Sequence, residues 1–185
     1  MKKTILLALL IASGLTLQSC GSSEKKDSEE RAEQANEAKS TSDDDDSEFA
    51  VKAASGGMLE VELGRLAQEK AQNQQVKDFG AMMVKDHSKA NDELKSLAAS
   101  KNITLPTTLG EDHQKHVNEL AKLSGKEFDK KYVSLMVDDH KEDIDEFEEA
   151  SKDAKDPDIK ALATKTLPTL KEHLTKIQAI NDALK

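Results

Sequence analysis

The sequence predicts an all-α protein, a bundle of four long helices, and three observations predict it. Only 3% of the residues are aromatic, with no Trp, one Tyr, 8 Gly and 3 Pro among 185. That supplies too few turns and strand formers for a sandwich or barrel. Charged residues make up 34% and the hydrophobic set 36%, the balance of long amphipathic helices. From Ser47 onward apolar residues recur at three and four positions. The length allows one folded domain. A single Cys excludes a disulfide framework and a cysteine-based metal cluster. A net charge of −9 argues against a nucleic-acid partner.

Residues 1–19 read as an address. Lys2 and Lys3 form a positive start, and the apolar stretch Ile5 to Leu17 is shorter than the roughly 20 residues of a spanning helix. It ends at Leu17-Gln18-Ser19-Cys20, which resembles a bacterial lipobox. Cys20 is then the lipidated mature N-terminus, anchored durably because more than one acyl chain is attached. Gly21 to Asp46 contains no Val, Ile, Leu, Met, Phe, Tyr or Trp and closes on Asp43-Asp44-Asp45-Asp46. Such a segment has little to bury against its ordering entropy. Residues 20–46 therefore read as a disordered acidic tether spanning about 30 Å, dispensable for folding of 47–185.

The first long helix is expected from Ser47, as N-cap, to Gln72. The second covers Gln74 to Ser100, with Val76, Met83, His87, Leu94 and Leu97 on one face. A loop with Pro106 and a short helix from Leu109 to Leu123 follow. The third long helix covers Gly125 to Asp153, with Val133, Met136, His140, Ile144 and Phe147 aligned. Asp156-Pro157, a cap followed by proline, starts the fourth, which runs to Leu184 with Ile159, Leu170, His173 and Ile177 inward. Pro168 within it should kink it. Each helix is close to 40 Å long. Short links pair first with second and third with fourth. The link from Lys101 to Ser124 is long enough to run the length of the bundle, the ferritin-like connectivity. The alternative is a simple up-down bundle with the short helix folded over one end.

His87 is the midpoint of its helix, His140 lies within a residue of its own and His173 within three. The midpoint of the first helix falls beside Glu60 and Glu62. Three imidazoles and a carboxylate should therefore meet at one level of the core, with Glu60 favoured over Glu62, which points about 160° away. Met83-Val84-Lys85-Asp86-His87 is echoed by Met136-Val137-Asp138-Asp139-His140. Met and His four apart share a helix face. Thioether with imidazole (Met83, Met136) suits copper, whereas imidazole with carboxylate (Asp86, Asp139) suits iron, manganese or zinc. Two readings stand. The layer binds a divalent transition metal or small polar ligand, in metal handling or envelope stress defence, or the protein is a non-catalytic envelope interaction module whose core histidines are structural and only fix helix register. No Glu-x-x-His is present, so the ferritin-type di-iron set is incomplete and a redox enzyme ranks last. His113 and His116, three apart on the short helix, read as partly exposed and outside the central layer. No nucleophile elbow or phosphate loop is present, and Gly56, Gly57 and Gly64 read as close helix contacts.

Gly57-Met58-Leu59-Glu60-Val61-Glu62-Leu63-Gly64, the Met83–His87 segment, Phe128-Asp129-Lys130-Lys131-Tyr132, His140 and Leu167-Pro168-Thr169-Leu170-Lys171-Glu172-His173-Leu174 occur in that order. Together they resemble the bacterial domain-of-unknown-function family 4142 across Glu48 to Leu184. The resemblance implies a ferritin-like bundle in the cell envelope, with His87, His140 and His173 as the characteristic histidines, and brings no reaction. The expectation is a lipoprotein of the outer membrane facing the periplasm, attached to the membrane through Cys20, without an established enzymatic activity.

Overall fold

The computed structural model describes residues 27–39 and 44–184, and among these there is no strand. Six helices follow in order: α1 (Ser28–Glu37), α2 (Asp44–Lys70), α3 (Gln74–Ser100), α4 (Glu111–Ala121), α5 (Gly125–Asp153) and α6 (Pro157–Ala183). The bundle is α2, α3, α5 and α6. One apolar cluster joins the C-terminal half of α2 to the N-terminal half of α3, the N-terminal half of α5 and the C-terminal half of α6. The other cluster joins the opposite four halves. Helices α3 and α5 therefore run parallel, and residues 101–124, with α4, return along the bundle. This is the single-crossover, ferritin-like connectivity rather than the up-down alternative.

Each hairpin turn is locked by a carboxylate from the other hairpin. Asp129, near the start of α5, accepts from the backbone N–H groups of Gln72 (3.0 Å) and Asn73 (2.9 Å). At the other end Asp46 accepts from those of Lys155 (3.0 Å) and Asp156 (2.7 Å). Both are buried. Within the hairpins, Gly64 and Gly80 bring α2 and α3 into backbone contact. A Cβ on Gly64 would lie 2.6 Å from the Gly80 carbonyl oxygen. Helix α6 stays helical through Pro168.

The expected disordered tether is corrected where the structure describes it. Ser28–Glu37 is a helix packed on α2, and α2 begins at Asp44, so Ser47 is not its N-cap but a buried residue within it. Apolar burial on α1 amounts to Ala32. Hydrogen bonds hold the rest. The Asn36 amide donates to the Thr104 carbonyl (2.9 Å) and accepts from the Thr104 N–H (2.6 Å). Asp27 accepts from the Ser28 N–H at the start of α1, and its second oxygen accepts from the Glu111 N–H at the start of α4 (3.0 Å). One carboxylate thus serves two helix N-termini. Composition could not reveal this, because the partners are backbone groups 68 and 84 residues distant. Residues 1–26, including Cys20 and the address segment, lie outside the described residues.

Candidate metal centre

The three mid-helix histidines meet in the core between the two apolar clusters. Their ring centroids are 5.3, 5.5 and 5.9 Å apart. His140 and His173 are almost wholly buried, and His87 is 6% exposed. Phe79 closes the layer on one side, its ring 6.0 Å from that of His140 and 6.4 Å from that of His173. Glu60 enters from α2 and is 1% exposed.

Each ring has one nitrogen facing an oxygen. His140 Nδ1 lies 2.9 Å from the Met136 carbonyl oxygen, to which it donates. His173 Nε2 lies 3.1 Å from Asp86 Oδ2. His87 Nδ1 lies 2.5 Å from Glu60 Oε2, within ion-pair distance but outside hydrogen-bond alignment. The opposite nitrogen of each ring, His87 Nε2, His140 Nε2 and His173 Nδ1, is buried without a hydrogen-bond partner. Both oxygens of Glu60 lack one too, although Oε1 is 3.3 Å from His140 Nε2. In His140 and His173 an acceptor on the outer nitrogen fixes the tautomer and leaves the inner nitrogen as a lone pair, the usual arrangement around a histidine that ligates metal. The three rings can offer one nitrogen each such that all three lie within 4.8 Å of one another. Glu60, Asp139 and His140 form a second such set. The residues fit a cation with His87, His140 and His173 as nitrogen ligands and Glu60 as the carboxylate beside them.

Electrostatics agree with neutral imidazoles. Burial lowers His87 to about 4 and His140 to about 3, the neighbouring histidines adding to the effect on His140. His173 is lowered for the same reasons, partly offset by Asp86. Burial raises Glu60 well above the usual carboxylate range, and raises Asp139 and Asp143, where the Glu60 charge adds to it. The sign of the pH dependence follows. A histidine depressed on folding costs stability as pH falls from about 6.5 through its folded value. A carboxylate raised on folding costs stability as pH rises from about 4.5 through its folded value. The metal-free protein should therefore melt highest in mildly acidic solution and lose stability in both directions. A monotonic rise in melting temperature from pH 5 to 8, followed by calorimetry in chelator, would contradict this layer.

The other expected site residues are placed differently. Glu62 is not in the layer: it points outward and pairs with Arg65 at 3.2 Å, as the 200° rotation from Glu60 requires. Met83 and Met136 are fully buried in the apolar cluster with Phe79 and Tyr132. Asp86 orients His173, and Asp139 stands with Glu60 and His140. His113 is partly exposed, as expected, and its Nδ1 is 2.8 Å from Ser55 Oγ. Asp143 was missed. Its signals were its spacing of four from Asp139 and the small Gly56 on the facing helix, which matter only once α2 and α5 are known to touch.

One crossover and a buried histidine–carboxylate layer define a ferritin-like helical bundle protein. The chain belongs to the family described as domain of unknown function DUF4142, whose model matches residues 30–180. The match includes most of α1, consistent with that helix being part of the domain. Among solved structures, the chain is similar to the DUF305 fragment from Deinococcus radiodurans, with 11% identity over 77% of this chain and 98% of that one and a TM-score of 0.68. It is also similar to CopM in its Cu(II)-bound form, with 14% identity over 76% of this chain and 97% of that one and a TM-score of 0.65. These likenesses establish the helical fold. No curated protein matches the sequence.

Proposed function

We propose that this protein is a lipid-anchored envelope protein that binds one divalent transition-metal ion in the His87, His140, His173 and Glu60 layer, as a metal-handling rather than a catalytic protein. The observation that carries this is the set of three inner nitrogens, buried and unpartnered, each on a ring whose outer nitrogen faces an oxygen. A purely structural layer would spend those lone pairs on donors, because an unsatisfied buried polar group costs about 1–3 kcal/mol. Imidazole-rich sites suit copper and zinc, and the general affinity order favours Cu(II). That CopM has been solved with Cu(II) supports copper as the first metal to try. Lipidation of Cys20 and attachment at the outer membrane, facing the periplasm, rest on the lipobox resemblance and on the polar chain that follows it.

Two experiments test this. Metal at a hundredfold excess over its dissociation constant should stabilise the fold by about 2.7 kcal/mol, raising the melting temperature by several degrees. His140→Ala should abolish the rise, and His116→Ala should leave it intact. No shift of the wild-type melt with Cu(II), Zn(II), Mn(II) or Fe(II) would leave the structural reading of the histidines standing. For the anchor, Cys20→Ser should transfer the protein from the detergent phase to the aqueous phase on phase separation. Unchanged partitioning would refute lipidation at this residue.

A further inference from the structure

We infer that the acidic cleft between α1, α2, α4 and α5 is the port through which a divalent cation reaches the centre, with Asp143 as the residue that passes it inward. This rests on the metal reading above and extends it to a second, outer cation subsite. The cleft has a volume of about 200 Å³ and is lined by Glu29, Ser55, His113, Asp139, Asp143 and Glu146 among others. Asp139, Asp143 and Glu146 follow one another at spacings of four and three, on one face of α5. The lysine in the cleft, Lys52, lies 2.7 Å from Glu48, which takes up its charge.

Acidic clusters are common, and the floor of this one sets it apart. Asp143 also lines a smaller pocket of about 30 Å³ that reaches Glu60 and His87. It is the one acidic residue shared by the cleft and that pocket. Beneath it stands Glu60, 1% exposed, with both carboxylate oxygens unpartnered. Asp139 brings an oxygen to within 4.8 Å of ligand atoms on Glu60 and His140. On the facing helix Gly56 lies directly against it, since a Cβ there would stand 3.3 Å from Asp143 Oδ1. A line of carboxylates thus runs from solvent at Glu146 through Asp143 and Asp139 to Glu60. Such a line offers an entering cation successive oxygen ligands between solvent and the imidazole layer, and Glu146 at the rim steers it in. The outer subsite would be an oxygen site, weaker for copper or zinc than the imidazole layer, so the ion moves inward.

The test uses Co(II) as the probe, whose d–d absorbance reports arrival at the imidazole layer. Rapid mixing of the whole metal-free protein with Co(II) should give a band that grows in at a measurable rate. Asp143→Asn should slow that growth about tenfold and leave the final spectrum unchanged. Glu146→Gln, at the half-exposed rim, should slow it less and only at low salt, because screening removes the steering. Asp92→Asn, outside the cleft, should leave the rate unchanged. Gly56→Ala provides a second probe of the passage should Asp143→Asn fold poorly, and it too should slow loading. Wild-type rates in both Asp143→Asn and Gly56→Ala would overturn the port while leaving the metal centre standing. An altered final spectrum in Asp143→Asn would overturn the relay by making Asp143 a ligand of the resting centre. No band in the wild type would overturn the metal reading and the port with it.

Discussion

Glu60→Gln is expected to raise the melting temperature of the metal-free protein at pH 8 while weakening metal binding. The geometry explains both directions. Glu60 Oε2 faces His87 Nδ1, and Oε1 lies 3.3 Å from His140 Nε2. The Nδ1 of His140 donates to the Met136 carbonyl, so in the neutral ring its Nε2 is an acceptor. An ionised Glu60 therefore sets a carboxylate oxygen against a lone pair in a site with almost no water. Glutamine has the same shape, with its carbonyl able to accept from His87 and its amide able to donate to His140. Removing the desolvation cost should gain roughly 1–3 kcal/mol, or several degrees for a domain of this size. Loss of the negative ligand should weaken metal binding about 10–100-fold. Burial raises Glu60 well above the usual carboxylate range, so the gap between wild type and variant should narrow as pH falls toward that range. Thermal melts in chelator at pH 5 and pH 8, with a metal titration at pH 8, measure all three. A variant destabilised at both pH values would show that Glu60 is a structural acid and not the anionic member of a metal site.

Asp129→Ala carries the largest expected loss of stability. The side chain is 3% exposed and accepts two backbone N–H groups, from Gln72 and Asn73, in the turn between α2 and α3. Hydrogen bonds to a charged acceptor contribute about 1.5–3 kcal/mol each, and their loss strands two donors in a crowded turn. A total of about 3–5 kcal/mol, or roughly 10–15 °C, is expected in denaturant and thermal melts. Asp46→Ala should do the same at the opposite end, where its carboxylate holds the α5–α6 turn. Neither variant should change the metal affinity of the folded protein, because the two locks sit at the ends of the bundle and the histidine layer at its middle. A melt shift within about 1 °C for Asp129→Ala would show that solvent replaces the lock.

The helices and their inward faces were legible because helical periodicity is local: α3 and α5 run over the residues that their apolar spacing marks out. The meeting of His87, His140 and His173 was legible for a related reason. A residue at the middle of a helix stays at mid-height whichever way the helix points, so no tertiary information was needed to put three imidazoles on one level. Other features depended on rotation or on distant partners. Which of Glu60 and Glu62 faces the core turns on how α2 rolls against α3, and the Gly64–Gly80 contact decides that. The polar α1 could not be recognised as part of the fold, because its stability comes from Asn36 and Asp27 bonding to backbone groups far along the chain. Nor could the place of Asp143 between two pockets be read, since it depends on how α5 packs against α2. By itself the sequence determined where α3, α5 and α6 run, which of their faces is apolar and the level at which the polar layer lies, all set by spacing along one chain. Only the tertiary structure decided which nitrogens are left without partners and where solvent reaches them, because those depend on groups that meet across helices.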